Sequence, residues 1–270
     1  MKKTIVFIHG MFQNPVSWSK WIEFFQSEGY ECIAPAWPYH QGEPEALRNN
    51  IPDGLGDLVI DDIITPIETM ILNLPEKPIV IGHSVGGLIA QLLLARDTVS
   101  MAVAISSVAP NSMITFDWSF FKNAATIANP LKGNDPIPMD LETFKGAFAN
   151  TLAEDLAETE FEKTATPDSR NVFRSCMSSS ADIDMEISHS PLLLIAGTED
   201  LICPASLIEK QQKAYTNENS VTDIKEFAGR SHYICNEPGW EEVAEYVAHW
   251  ISNHNSLTDV AVESNNISVK

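Results

Sequence analysis

Ile79–Val80–Ile81–Gly82–His83–Ser84–Val85–Gly86–Gly87 is the stretch whose reading decides the fold. Its apolar start, rich in Val and Ile, reads as a buried strand, and Leu88–Ile89–Ala90–Gln91–Leu92–Leu93–Leu94 after it reads as a helix. Between them stands a G-x-S-x-G turn. A strand that turns sharply into a helix strains its turn residue. Only very small neighbours two positions to either side let the chains pass, which accounts for Gly82 and Gly86. The strain lifts the Ser84 hydroxyl off the sheet edge and aims the N–H groups of the helix N-terminus at whatever reacts there.

Outward from this turn, short apolar runs alternate with helical patterns. Thr4–Ile8, Glu31–Ala34, Pro78–Ile81, Met101–Ser106, Leu192–Ala196 and Val221–Phe227 read as strands. Ser17–Glu28, with Ser17 as N-cap, Asp57–Leu74, Leu88–Arg96, Ala205–Tyr215 and Trp240–Asn253 read as helices, with Pro66 expected to bend or break the second. Such alternation predicts an α/β domain, a mostly parallel sheet covered on both faces. The rhythm breaks from about Ala109 to His189, where no strand is evident. This segment, 109–189, is expected to be a helical cap inserted into a core formed by 1–108 and 190–254. Its acidic part, Glu154–Glu162, is expected to be a solvated helix face. The polar tail 255–270 has no apolar periodicity and is expected to be disordered.

Composition narrows the partners. A chain of 270 residues with 44% hydrophobic and 20% charged residues has the material for one large globular domain. Its formal net charge of −20 repels phosphate backbones and anionic lipid, which argues against nucleic acid and membrane partners. After Met1–Lys2–Lys3 the apolar run Thr4–Ile8 is too short for a secretion signal. Cys32, Cys176, Cys203 and Cys235 lack metal spacing and are expected as free thiols in a cytoplasmic protein. No histidine spacing suggests a metal, and none is expected.

A serine hydroxyl is a weak nucleophile that needs a base, and the base needs an orienting carboxylate. The strand Leu192–Ala196 runs into Gly197–Thr198–Glu199–Asp200, which places Asp200 at the carboxyl edge of the sheet, with Glu199 as the alternative acid. Ile224–Phe227 leads through Ala228–Gly229–Arg230–Ser231 to His232. The order Ser84, Asp200, His232 is the Ser…Asp…His order that accompanies a nucleophile elbow. Two backbone donors are needed for an oxyanion. Val85 N–H, at the start of the elbow helix, is one. The loop His9–Gly10–Met11–Phe12 supplies the other, assigned to Met11 with Phe12 second, Gly10 allowing an unusual turn. His9 and His83 flank the site as packing or hydrogen-bonding residues. Phe12, Phe116 and Trp118 are the candidate substrate contacts.

Together, His9–Gly10, Gly82–Gly87, Gly197–Asp200 and Gly229–His232 resemble the motifs of the α/β-hydrolase superfamily, and the resemblance covers roughly Thr4 to Asn253. It implies a core sheet, a lid after the strand ending near Ser106, and ester-type chemistry at Ser84 without a cofactor. The first strand begins at Thr4, so the N-terminal hairpin of larger members is missing. In this the chain is similar to compact plant methylesterases, hydroxynitrile lyases and related small bacterial hydrolases, which implies a doubly wound sheet of six strands in the order 2-1-3-4-5-6. The common Asp-x-x-Gly-His-Gly loop is replaced by Ala36–Trp37–Pro38–Tyr39–His40–Gln41–Gly42. The reading that follows is a serine hydrolase cleaving a small or medium, apolar carboxylic ester through an acyl-enzyme. Its alternatives are a lyase of the hydroxynitrile-lyase type using the same Ser84, His232 and Asp200 as a proton relay, or a thioesterase or lactonase. A non-catalytic ligand-binding descendant is disfavoured by the intact set of three. Ser84 in the place of an aspartate argues against dehalogenase and epoxide hydrolase chemistry.

Overall fold

Alternate residues of the central strands feed two separate apolar layers, and this sorting builds the protein. The strands are β1 Thr4–Ile8, β2 Glu31–Ile33, β3 Ile79–His83, β4 Met101–Ile105, β5 Leu192–Gly197 and β6 Thr222–Phe227. The computed structural model describes residues 2–113 and 130–267. All six strands pair in parallel, in the order β2-β1-β3-β4-β5-β6. Val6, Ile8, Val80, Ala102, Ala104, Leu192 and Leu194 face one layer, and Ile5, Phe7, Ile79, Ile81, Val103, Ile105, Leu193 and Ile195 face the other. Burial on both faces explains why these strands read as continuous apolar runs.

Helix α1 (Ser19–Ser27) covers the second layer with Trp21 and Phe25, beside the last helix, α8 (Trp240–Ile267), which brings Val243, Ala244, Val247 and Ile251. The first layer is covered by α3 (Ile60–Leu72), α4 (Val85–Ala95) and α7 (Ala205–Ala214), while α2 (Pro44–Asn49) stands in the connection between β2 and α3. Each large side chain buried in this way stabilises the fold by about 1.5–3 kcal/mol. Between β4 and β5 lies the helical insertion. It contains a turn, Leu141–Thr143, passing into a π-helical stretch, Phe144–Phe148, then α5 (Glu154–Thr164) and α6 (Arg170–Cys176).

Local details depart from the sequence reading. A 3₁₀ turn, Pro15–Trp18, precedes α1, and its N-cap is Asn14, whose side chain accepts the Val16 N–H at 3.1 Å. Ser17 is not the cap; its hydroxyl donates back to the Asn14 carbonyl at 2.8 Å. Helix α3 runs on through Pro66, because its buried stripe Ile60, Ile63, Ile64, Ile67 and Ile71 outweighs the one backbone donor that proline removes. Helix α8 continues past Asn253 to Ile267, and no Gly or Pro follows Gly239 to stop it. In α5, Glu160 and Phe161 turn inward, so this acidic segment is only partly a solvated face.

Candidate active site

Because β1 and β3 are sheet neighbours, the loops that leave their carboxyl ends meet. Ser84 sits at the meeting point with φ 56 and ψ −118, a strained conformation for any residue with a Cβ. The glycines around it answer to space. A Cβ on Gly82 would stand 2.0 Å from the Gly86 carbonyl oxygen, and one on Gly86 would stand 2.2 Å from that of Ile8. The turn is anchored by Ser84 N–H donating to the Ile105 carbonyl (2.9 Å) and Val108 N–H donating to the Ser84 carbonyl (3.2 Å).

The loop after β1 presses against this elbow. A Cβ on Gly10 would lie 2.8 Å from the Ser84 Cβ, so glycine is required there for proximity. The left-handed residue is Phe12 (φ 63) rather than Gly10. Among the described residues, neither Met11 N–H nor Val85 N–H has an acceptor, whereas Phe12 N–H donates to Asp168 Oδ2 at 2.8 Å. Met11 therefore keeps the amide that could serve an oxyanion, and Phe12 does not.

His232 follows β6 and Asp200 follows β5, and the two meet: His232 Nδ1 lies 2.8 Å from Asp200 Oδ2. The carboxylate only accepts, so Nδ1 carries the proton. Asp200 Oδ1 accepts the N–H groups of Ile202 (2.8 Å) and Cys203 (2.7 Å), so the residue also serves as a turn acceptor. Burial alone would raise the Asp200 pKa; the charge and hydrogen bond of His232 and the two amides outweigh it and hold the carboxyl below its ordinary value. Glu199 is exposed and turned aside, with its Oε1 accepting from Thr198. The other ring nitrogen, His232 Nε2, is buried without a partner. Ser84 Oγ makes no hydrogen bond with a described residue. The structure thus joins His232 to Asp200 but does not close a bond between His232 and Ser84; such hydroxyl–imidazole bonds commonly tighten only around substrate.

His83 links the two sides. Its Nε2–H donates to the His232 carbonyl at 2.8 Å, and the ring stays neutral, its pKa lowered to about 3 by burial and then by neighbouring His232. Glu237, buried and absent from the sequence reading, clamps the His232 loop by accepting from Ser231 N–H (3.2 Å), Ser231 Oγ (3.0 Å) and the insertion's Thr151 hydroxyl. Phe148 of the insertion packs edge-on against His232, ring centroids 5.0 Å apart. Its motif was only a scatter of cap aromatics, with nothing to single it out. Of the candidate substrate contacts, Phe12 is buried beside the elbow, and Phe116 and Trp118 lie outside the described residues. Among the described residues no cluster of His, Cys, Asp and Glu is arranged to hold a metal, and no helix is long and apolar enough to cross a membrane.

The model of the Alpha/beta hydrolase family matches residues 5–246. No curated protein matches the sequence. Among solved structures the chain is similar to a monoacylglycerol lipase from Paleococcus ferrophilus, at 23% identity and TM-score 0.68, covering 93% of this chain and 94% of that one. It is also similar to an extracellular alpha/beta-hydrolase from a Paenibacillus species, at 18% identity and TM-score 0.70, covering 92% and 98%. A methylesterase from Arabidopsis aligns at 15% identity and TM-score 0.65, covering 93% and 99%. At such identities the structural likeness speaks for the fold. The sequence match spans the sheet, the elbow and the start of the last helix, and with the strand order it establishes that the chain belongs to the alpha/beta hydrolase family of enzymes.

Proposed function

We propose that the protein is a serine hydrolase that cleaves a small or medium, apolar carboxylic ester through an acyl-enzyme. The observation that carries this reading is the His232 ring, with Nδ1 committed to Asp200 at 2.8 Å and Nε2 buried and unpartnered. An imidazole held in this tautomer is a base for a hydroxyl that reaches Nε2. Ser84 Oγ attacks the ester carbonyl as its proton passes to His232 Nε2. Asp200 stabilises the imidazolium. The carbonyl π electrons move onto oxygen, and the N–H groups of Met11 and Val85 receive that charge; loss of one such donor typically costs about 3 kcal/mol of transition-state stabilisation. The tetrahedral adduct collapses, His232 returns the proton to the leaving alcohol, and water repeats the sequence to release the acid.

An apolar substrate is supported by what surrounds the imidazole. Phe148 packs on its edge, and Met11, Phe12, Val85, Phe144 and Phe148 belong to one apolar cluster. The segment 109–189 acts in this reading as a lid. Four free cysteines, three of them buried, are in keeping with a reducing, cytoplasmic setting.

Turnover of p-nitrophenyl esters of graded chain length, with a thioester, a lactone and a cyanohydrin alongside, tests the reading. Short and medium esters are expected to turn over fastest, and Ser84→Ala to lower kcat by at least about 10³ with the circular dichroism spectrum unchanged. A cyanohydrin cleaved faster than every ester transfers the site to lyase chemistry. Full ester turnover by folded Ser84→Ala removes the proposal.

A further inference from the structure

The insertion reaches back to the oxyanion loop through one buried carboxylate. Asp168 Oδ2 accepts Phe12 N–H at 2.8 Å and lies 3.4 Å from His40 Nε2, while Oδ1 accepts Ser169 N–H at 2.7 Å. Its backbone pairs in both directions with Ile137, at 2.7 and 2.9 Å, so the carboxylate has little freedom to move. Neighbouring bonds run to the same loop: Thr166 N–H donates to the Phe12 carbonyl (3.0 Å) and Thr166 Oγ1 to that of Gln13 (3.3 Å).

The charge on His40 follows from its surroundings. Nδ1 lies 3.0 Å from the Pro38 carbonyl and Nε2 faces the Asp168 carboxylate, and both neighbours can only accept. A proton on each nitrogen suits both neighbours, with Nε2 at ion-pair distance from Asp168 rather than in a hydrogen bond. Burial works against this charge, but Asp168 prevails and raises the His40 pKa. His9, whose ring centroid is 5.5 Å away, is in the opposite state. Its Nδ1 donates to the Gly10 carbonyl (2.9 Å) and its Nε2 accepts Trp37 N–H (3.3 Å), which requires a neutral ring.

Phe12 needs an anchor. Its φ of 63 is unfavourable for a residue with a Cβ, by about 1–2 kcal/mol. The peptide between Met11 and Phe12 is planar, so tying its N–H to Asp168 fixes the orientation of that unit and the place of Met11 Cα, leaving only the φ and ψ of Met11 between the anchor and Met11 N–H. We propose that Asp168 is a positioning residue: from the insertion, with His40 as its counter-charge, it holds the Phe12 amide and so aims Met11 N–H at the developing oxyanion. This rests on the ester-hydrolase reading above.

The test uses p-nitrophenyl butyrate turnover and inhibition by phenylboronic acid, whose tetrahedral adduct with Ser84 places an oxygen where the oxyanion forms. Asp168→Ala is expected to lower kcat about 100-fold with KM within about threefold, and to weaken boronate inhibition in proportion. Asp168→Asn, whose amide oxygen still accepts Phe12 N–H, is expected to recover about tenfold of each loss. Ile67→Ala, a destabilising change in the core of α3, serves as the stability control and is expected to keep kcat and boronate affinity while folded. The proposal is overturned if Asp168→Ala loses no more kcat than this control, if boronate affinity is unchanged while kcat falls, or if Asp168→Asn is no better than Asp168→Ala. Where Asp168→Ala does not fold, Asp168→Asn decides against wild type: a loss of about tenfold in both readouts supports the proposal, and no loss overturns it. Ser84→Ala keeps the two readings apart, since activity surviving there ends the hydrolase proposal, whereas an inactive Ser84→Ala beside a fully active Asp168→Ala ends only this one.

Discussion

Asp200 and Asp168 are both buried, both accept backbone N–H groups and both face a histidine, yet the two regions they organise behave differently. Asp200 stands 2.8 Å from Nδ1 of His232, whose far nitrogen has no partner. Asp168 stands 3.4 Å from Nε2 of His40, whose far nitrogen is tied to the Pro38 carbonyl. The first ring has a vacant nitrogen with which to take up a proton. The second has its Nδ1 on the Pro38 carbonyl and its Nε2 at ion-pair distance from a carboxylate, without a hydrogen bond, so no side of the ring is open to a reacting hydroxyl. Identical residue types therefore leave one imidazole suited to the proton transfer proposed for it and set the other against a carboxylate as an ion pair. What decides is the group opposite the second ring nitrogen.

Substitutions at the two pairs can break this comparison. The largest effect is expected for Asp200→Asn, which favours the wrong His232 tautomer and should lower kcat by about 10⁴ with little change in Tm. His40→Gln should show the reverse pattern. It leaves a buried carboxylate without its cation, at a cost of about 3–5 kcal/mol read as a lower urea midpoint, while kcat of the folded variant falls by less than about tenfold. A greater kcat loss in His40→Gln than in Asp200→Asn would erase the distinction.

A pH series sharpens it. The groups that face His40 are Asp168 from the insertion, the Pro38 carbonyl from its own loop and the neutral His9 ring beyond β1. Since the folded-state pKa of His40 is raised, its stabilising contribution is complete below the ordinary histidine value of about 6.5 and is lost as pH rises through the folded value. The urea midpoints of wild type and His40→Gln should therefore converge with rising pH; a gap that widens contradicts a charged His40. The smallest effect belongs to Glu199→Gln, expected within about twofold of wild-type kcat because the exposed carboxylate faces away from His232.

The parts of the site visible in the sequence share one property: Ser84, Asp200 and His232 each follow a strand of a parallel sheet. Parallel pairing carries all three to the same sheet edge, where His232 meets Asp200. Asp168 follows no strand, and His40 lies in the loop after the short edge strand β2. Thr-Pro-Asp-Ser and Pro-Tyr-His-Gln-Gly read as ordinary turns, and their pairing is made across 128 positions by how the insertion settles. The same distant contact explains the misassigned turn residue. Gly10 looked like the place for an unusual backbone angle, but Phe12 adopts it with its N–H held by Asp168, and Gly10 is needed because Ser84 is so close. Helix ends were less legible still, since Asn14 caps through a 3₁₀ turn and α8 stops only beyond 255.

The hydrogen bond from Phe12 to the insertion bears on protein engineering. An insertion between two strands of the sheet is a natural unit to exchange between related chains. In this molecule a transplanted insertion lacking a carboxylate at the Asp168 place would leave Phe12 N–H untethered and His40 without its partner, so under the reading proposed above a chimaera would bind its ester and still turn it over slowly. A donor segment should therefore be chosen for that anchor before it is chosen for the shape of its pocket.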